Sequence, residues 1–262
     1  MKDEEENLVV ILVEKRKGII DDMSHLCKEC IDLIWVDGNN WDLSKVKKMN
    51  SMFEDCSDLK YLSNISGWKT TNMEEINYMF KNCSSVEELD LSDWITSNLK
   101  QMEGLFFGCI NLKQIKGLLN QDIQKIEGIK ELFWKCKQLK EINIGNWNIS
   151  KVKNMSYLFA ECEVLTKLPN ISNWNTSQVN DMSYLFYNCK QLQSFPEISN
   201  WKTSNVINMN SLFCGCQQLK SLPDLTKWEL NEALILENMF DLLNLEEKKK
   251  PKKENGKFVF PK

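Results

Sequence analysis

Apolar residues return along this chain on a fixed beat. Phe53, Phe80, Phe106, Phe133, Phe159, Phe186, Phe213 and Phe240 recur every 26 or 27 residues. Cysteine follows three positions later at Cys56, Cys83, Cys109, Cys136, Cys162, Cys189 and Cys216. Cys30 extends this row upstream, with Cys27 in the Phe place, and Leu243 takes the cysteine place after Phe240. Tryptophan keeps the same interval at Trp41, Trp68, Trp94, Trp147, Trp174, Trp201 and Trp228. Self-similarity at this period is the signature of a solenoid, whose units bury their apolar faces against their neighbours.

Each unit holds two patterns. After the cysteine, apolar residues stand two or three apart, as in Val86, Leu89 and Leu91, or Leu139, Ile142 and Ile144, or Leu165, Leu168 and Ile171. That spacing reads as a short strand. A proline there would remove a ladder hydrogen bond, so Pro169, Pro196 and Pro223 are placed at strand ends. The second half changes period: Val179, Met182, Leu185, Phe186 and Cys189 form a stripe of helical spacing, with Ser177 as a candidate N-cap. Ser44, Ser97, Ser150 and Ser204 occupy the same place in their units.

The expected fold class is α/β: a leucine-rich-repeat-like solenoid of about eight coils, with a parallel β-sheet on one face and short helices on the other. Residues 1–245 form the solenoid. Residues 1–18, with the apolar run Leu8 to Val13, supply an N-terminal cap or first strand, and 234–245 a closing coil. Residues 246–262 read as a Lys-rich disordered tail. One coil departs from the pattern. Residues 118–128, "LLNQDIQKIEG", lack the Trp, while Ile126, Ile129, Leu132 and Phe133 persist and Trp134 appears beside them. This is either a repeat repacked locally or a kink and docking point.

The composite Trp-x-Thr-Ser-x-Val-x-x-Met-x-x-Leu-Phe-x-x-Cys-x-x-Leu, seen most fully in "WNTSQVNDMSYLFYNCKQL", resembles the BspA-type leucine-rich-repeat surface proteins of bacteria, mollicutes and parasitic protists. The resemblance covers roughly residues 19–243. It implies a cell-surface location and adhesion to host or matrix proteins.

Composition changes this picture little. A hydrophobic content of 42% is ample for a continuous core. A net charge of −4 gives no reason to expect nucleic-acid binding. The charge is uneven: residues 246–262 carry seven Lys against three Glu, leaving about −8 on residues 1–245 (26 minus 34). The start "MKDEEENLVVILVEKRKG" lacks the basic lead and long apolar run of a secretory leader, and no stretch approaches a transmembrane segment. Absence of a leader points to the cytoplasm, and the family resemblance points to the surface.

No catalytic constellation is legible. The ten cysteines read as a row of buried free thiols. Equivalent positions in adjacent coils stand ~4.7–4.9 Å apart with parallel Cβ vectors, too far for an unstrained disulfide. A linear row cannot surround a zinc ion. Cys27 and Cys214 lie outside the row and are the exceptions to watch. His25 is the only histidine, and no nucleophile converges on it. Neither a cofactor nor a metal is expected. The candidate site is instead the outward column of the strands: Lys60, Tyr61, Glu87, Glu88, Asp90, Lys113, Gln114, Lys116, Lys140, Glu141, Asn143, Thr166, Lys167, Gln193, Ser194, Lys220 and Ser221. A long, polar, open face suits a protein or glycan partner more than a small molecule. The expected function is a non-enzymatic interaction module. The alternative is an intracellular scaffold addressed by its Lys-rich tail, and a thiol-redox or metal-binding role ranks last. The sequence does not fix the oligomeric state.

Overall fold

The structure is a computed structural model that describes residues 20–39, 41–117, 123–246 and 249–260. The segment 1–18, with its expected cap or first strand, lies outside the described residues, as does the first part of the Trp-less coil. The chain winds as a stack of coils in which each repeat pairs with the next. Three-residue strands lie in parallel pairs: β1 (Trp35–Asp37) with β2 (Tyr61–Ser63), and β3 (Glu88–Asp90) with β4 (Gln114–Lys116). Lys167 and Ser194 form a single bridge in the same column. The expected parallel sheet is therefore present as short pairs.

The expected helices differ more. Among the described residues the helical element is a 3-10 turn at Ile65–Gly67, and the stripe read as helical is a chain of turns. An α-helix directs each N–H to the carbonyl four residues back. Here Met49, Ser51, Phe53 and Asp55 donate instead to the carbonyls of Glu75, Asn77, Met79 and Lys81 in the next coil, at 2.8–2.9 Å. The intervening N–H groups close i→i+3 turns, as from Glu54 to Ser51 and from Cys56 to Phe53, both 3.2 Å. The longest ladder of parallel bridges runs along this face: Asp22–Lys48–Glu75–Gln101–Gly128, then Asn154–Asp181–Asn208–Ile235. Three of the five serines expected to cap helices sit in Asx turns. The N–H groups of Ser44, Ser150 and Ser177 are bound by the side chains of Asp42, Asn148 and Asn175 at 3.0–3.1 Å.

Such turns need left-handed residues, and they occur in pairs four apart: Ser51 and Asp55 (φ 55 and 63), Tyr157 and Glu161 (58 and 57), Gly104 and Gly108 (56 and 75). For a non-glycine residue each costs roughly 1–2 kcal/mol. The turn chains from Met49 to Cys216 each also bury a methionine or isoleucine, a phenylalanine and a cysteine, worth about 1.5–3 kcal/mol for each large side chain. Burial wins.

One apolar core runs the length of the stack from Met23 to Phe258. Phe53, Phe80, Phe106, Phe133, Phe159, Phe186, Phe213 and Phe240 stack in sequence, with centroids 5.6–6.2 Å apart. The cysteine slot has a specific role. Each thiol from Cys83 to Cys216 donates to the carbonyl of the phenylalanine one coil earlier at 3.0–3.3 Å, as from Cys83 Sγ to Phe53 O at 3.1 Å. The same carbonyl accepts the N–H of its own coil's cysteine, so both lone pairs are used. Serine would carry a stronger donor, and valine none.

The Lys-rich tail differs from the expectation of disorder. β5 (Lys252–Glu254) and β6 (Lys257–Val259) form an antiparallel hairpin around Asn255 and Gly256, both left-handed (φ 48 and 72). Its Phe258, 3% exposed, closes the end of the core against Trp228 (6.4 Å) and Phe240 (5.9 Å). The N–H of Leu230 donates to Gly256 O at 2.8 Å. Residues 249–260, dominated by charge, thus carry an apolar plug that seats the hairpin on the core.

Candidate partner-binding face

The outward column follows from strand geometry. In β3, Leu89 is buried while Glu88 and Asp90 point to solvent. All seventeen candidate residues, from Lys60 to Ser221, are exposed. Pairing of β3 with β4 sets Glu88 beside Gln114 and Asp90 beside Lys116. Charges then meet along the stack: Lys113 Nζ lies 2.7 Å from Glu87 and Lys116 Nζ 3.8 Å from Glu88. The hydrogen bond from Lys113 holds the Glu87 carboxyl below the usual range, and Ser92 does the same for Asp90. Lys60 lies over the ring of Tyr61, 5.4 Å from its centroid.

Sequence reasoning missed two features. Trp35, 40% exposed, pairs with Tyr61 across β1 and β2 and donates from Nε1 to Ser63 Oγ at 3.1 Å, so this edge carries two aromatics. On the turn face, Phe107, Trp134, Tyr157 and Tyr184 stack with centroids 4.4–4.6 Å apart, and Tyr187 meets Tyr184 edge-on. Lys135 sits over Trp134 and Phe107 at 5.1 and 5.9 Å, and Trp134 Nε1 donates to Glu161. These aromatics are half-buried and were not identified because they alternate between two adjacent columns. Tyr78 covers Gly104, where a Cβ would meet the Tyr78 ring at 2.2 Å; the glycine serves both the turn and this contact.

Cysteine placement follows the expected row except at its start. All ten are free; Cys27 and Cys214 are buried, while Cys30, expected inside, is exposed. Burial pushes the thiols of Cys27, Cys56 and Cys109 up to about 12, so they are protonated and unreactive at neutral pH. No group of residues placed to hold a metal ion occurs among the described residues. A depression between Thr70, Met73, Trp94 and Leu99 is shallow and encloses a volume of about 0 Å³. Small-molecule sites occupy roughly 300–1,000 Å³. No described helix is long and apolar enough to cross a membrane.

Neither a curated protein nor a solved structure matches the chain. Residues 21–121, 111–196 and 166–250 each match the family described as "Mycoplasma protein of unknown function, DUF285", and the chain belongs to that family. The three overlapping matches fall on the repeats themselves.

Proposed function

Taking membership of that repeat family as the premise, we propose that the chain is a non-enzymatic interaction module that engages a protein or glycan partner through its strand face. One observation carries this reading. The inward slots repeat with the same residues coil after coil, whereas the outward residues, all exposed, vary: the place of Lys60 is Lys in four of seven coils and Glu87, Thr166 or Gln193 in the others, and the next place reads Tyr61, Glu88, Gln114, Glu141, Lys167, Ser194 and Ser221. A surface that varies on a constant frame suits recognition. The resemblance to BspA-type repeats adds the finer reading of a surface adhesin. The competing scaffold reading makes the Lys-rich tail an address. Phe258 anchors that tail to the core, which favours a cap over a free tag.

Charge reversal at Glu87, Glu88 and Asp90 and, separately, at Lys140, Lys167 and Lys220 tests the face. Capture of the same partners by the parent and by both variants, at equal stability, would sink the proposal. Labelling of the chain on intact cells by a membrane-impermeant amine reagent separates adhesin from scaffold.

A further inference from the structure

The cysteine row changes at its first coil, where two departures from the pattern fall together. Cys27 occupies the place that Phe53, Phe80 and the later phenylalanines hold, and Cys30 occupies the row place three residues on. Cys27 is 1% exposed, whereas Cys30 meets solvent, unlike the row cysteines from Cys56 to Cys216. Each of those thiols donates to a carbonyl of the coil before it, as Cys56 Sγ does to Cys27 O at 2.9 Å. Among the described residues Cys30 has no such acceptor. The coil with a cysteine in the Phe place is thus also the coil whose row thiol is open. The two thiols share one turn. Cys30 N–H donates to Cys27 O at 3.2 Å, with Glu29 left-handed between them (φ 62). Such a turn brings its end Cα atoms within ~7 Å, and a disulfide spans Cα separations of ~4.4–6.8 Å. The second coil holds this turn in place: Cys27 N–H donates to Met52 O at 2.9 Å and Glu29 N–H to Glu54 O at 2.7 Å.

We propose that Cys27 and Cys30 form a thiol–disulfide exchange site that takes a low-molecular-weight disulfide as co-substrate and closes to an intrachain disulfide. The exposed Cys30 acts first. Its thiolate attacks one sulfur of the small disulfide, whose S–S bond breaks, and one half leaves as a thiol carrying the proton that Cys30 gave up. Cys27 acts second. It yields its proton and attacks Cys30 Sγ, which expels the other half as a second thiol. Two protein thiols are oxidised and one small disulfide is reduced. Burial keeps Cys27 protonated and out of reach of an external reagent, so it does not begin the exchange. Its low thiolate fraction is offset by proximity, since a group held in the same turn reacts intramolecularly. An accessible thiol poised beside a resolving one is the arrangement of redox-responsive sites. The rest of the row takes no part. Its thiols are buried and hydrogen-bonded, and equivalent cysteines of adjacent coils point the same way at ~4.8 Å. The pair therefore closes in an oxidising compartment and opens in a reducing one, and it stands apart from binding at the strand face.

Oxidised glutathione, added to the full native chain after reductant is removed, tests this by intact mass and by thiol titration in denaturant. The reacted chain should stay monomeric, lose two of its ten titratable thiols and carry no glutathione, with the disulfide mapped between Cys27 and Cys30. C27F, which gives the first coil the ring of the later coils, should stop at a stable Cys30–glutathione adduct and lose a single thiol. C27S guards against a misfit of the added ring and should show the same arrest. C30S should leave every remaining thiol unreacted in the native chain. Dithiothreitol should restore all ten thiols of the oxidised parent. No reaction of the native chain, a persistent adduct on the parent, a disulfide that includes Cys56 or any later cysteine, or a dimer linked through Cys30 would each overturn the proposal.

Discussion

The phenylalanine and tryptophan ladders run side by side through the same core, but they meet the irregular coil differently. The Phe ladder crosses it unbroken, with Phe106, Phe133 and Phe159 at 5.8 and 6.0 Å. The Trp ladder stacks from Trp41 through Trp94 and again from Trp174 through Trp228. Among the described residues no Trp–Trp stack joins those two runs. Trp68, Trp94, Trp201 and Trp228 each donate from Nε1 to a carbonyl of an earlier coil at 2.8–3.1 Å, whereas Nε1 of Trp41, at the start of the first run, and of Trp147 and Trp174, after the irregular coil, is buried without a described partner. The outer stack Phe107–Trp134–Tyr157–Tyr184 covers this interval from the opposite side of the turn chain. Continuity in a stack is thus local: where one column loses its rung, another column supplies aromatic contact across the same coils.

Breaking the continuous ladder at the junction is expected to have the largest effect. Phe133→Ala removes a fully buried ring with two stacking partners and should cost about 3–5 kcal/mol. In a quasi-one-dimensional stack it should also divide urea unfolding into two transitions, one for each half. A single, merely shifted transition would show that the halves are coupled by something other than this ladder. Trp134→Ala tests the outer stack and should cost about 1–3 kcal/mol, clearly more than Tyr187→Ala at the stack's end. Equal losses from both would mean that the outer rings act as separate surface groups.

Smaller effects sharpen the comparison. Cys136→Ala deletes the thiol bonded to Phe106 O at 3.1 Å and should cost about 1 kcal/mol. Thiol titration checks the same row: Cys30 should react in the native protein, with all ten released on denaturation without reductant. The smallest expected effect is a pH dependence. Burial raises the pKa of Glu54, but hydrogen bonds from Lys81, Ser51 and Lys28 outweigh it and hold the carboxyl down at about 2. Its folded pKa is lower than its unfolded one, so its contribution is full above the ordinary value of 4.5 and fades as pH falls towards 2. Glu54→Gln should flatten the thermal midpoint over that window. Glu163, also lowered against burial by Lys190 and Lys137, is more exposed, and Glu163→Gln should change the profile less.

Much of this architecture was legible from the sequence because burial repeats at the same offsets. The slots of Met182, Leu185, Phe186 and Cys189 are inward as their spacing requires. The backbone between them was not legible, because an apolar sequence of offsets three, six, seven and ten fits both a helix and a chain of tight turns. The direction of the N–H groups decides between them, and side-chain hydropathy does not report it. A signal existed in Asp55, Asn82, Gly108, Asn188 and Gly215, each directly before a row cysteine and each left-handed. Lys135, Glu161 and Leu242 at the same place obscured it. In the tail, the Asn255-Gly256 turn and Phe258 were outweighed by the lysines around them. The exposure of the outward column follows from alternation alone, whereas its ion pairs depend on which coils are neighbours.

The hairpin that closes the core has a consequence for how such a chain changes over generations. Away from the irregular coil, successive coils present the same Phe, Trp and Cys slots to their neighbours, so duplication or loss of one 26- or 27-residue unit there leaves these ladders with an equivalent neighbour. Phe258 and its turn meet only the final rungs, Trp228 and Phe240. The lineage can therefore lengthen or shorten the recognition surface by whole units while inheriting a single, unchanged terminator.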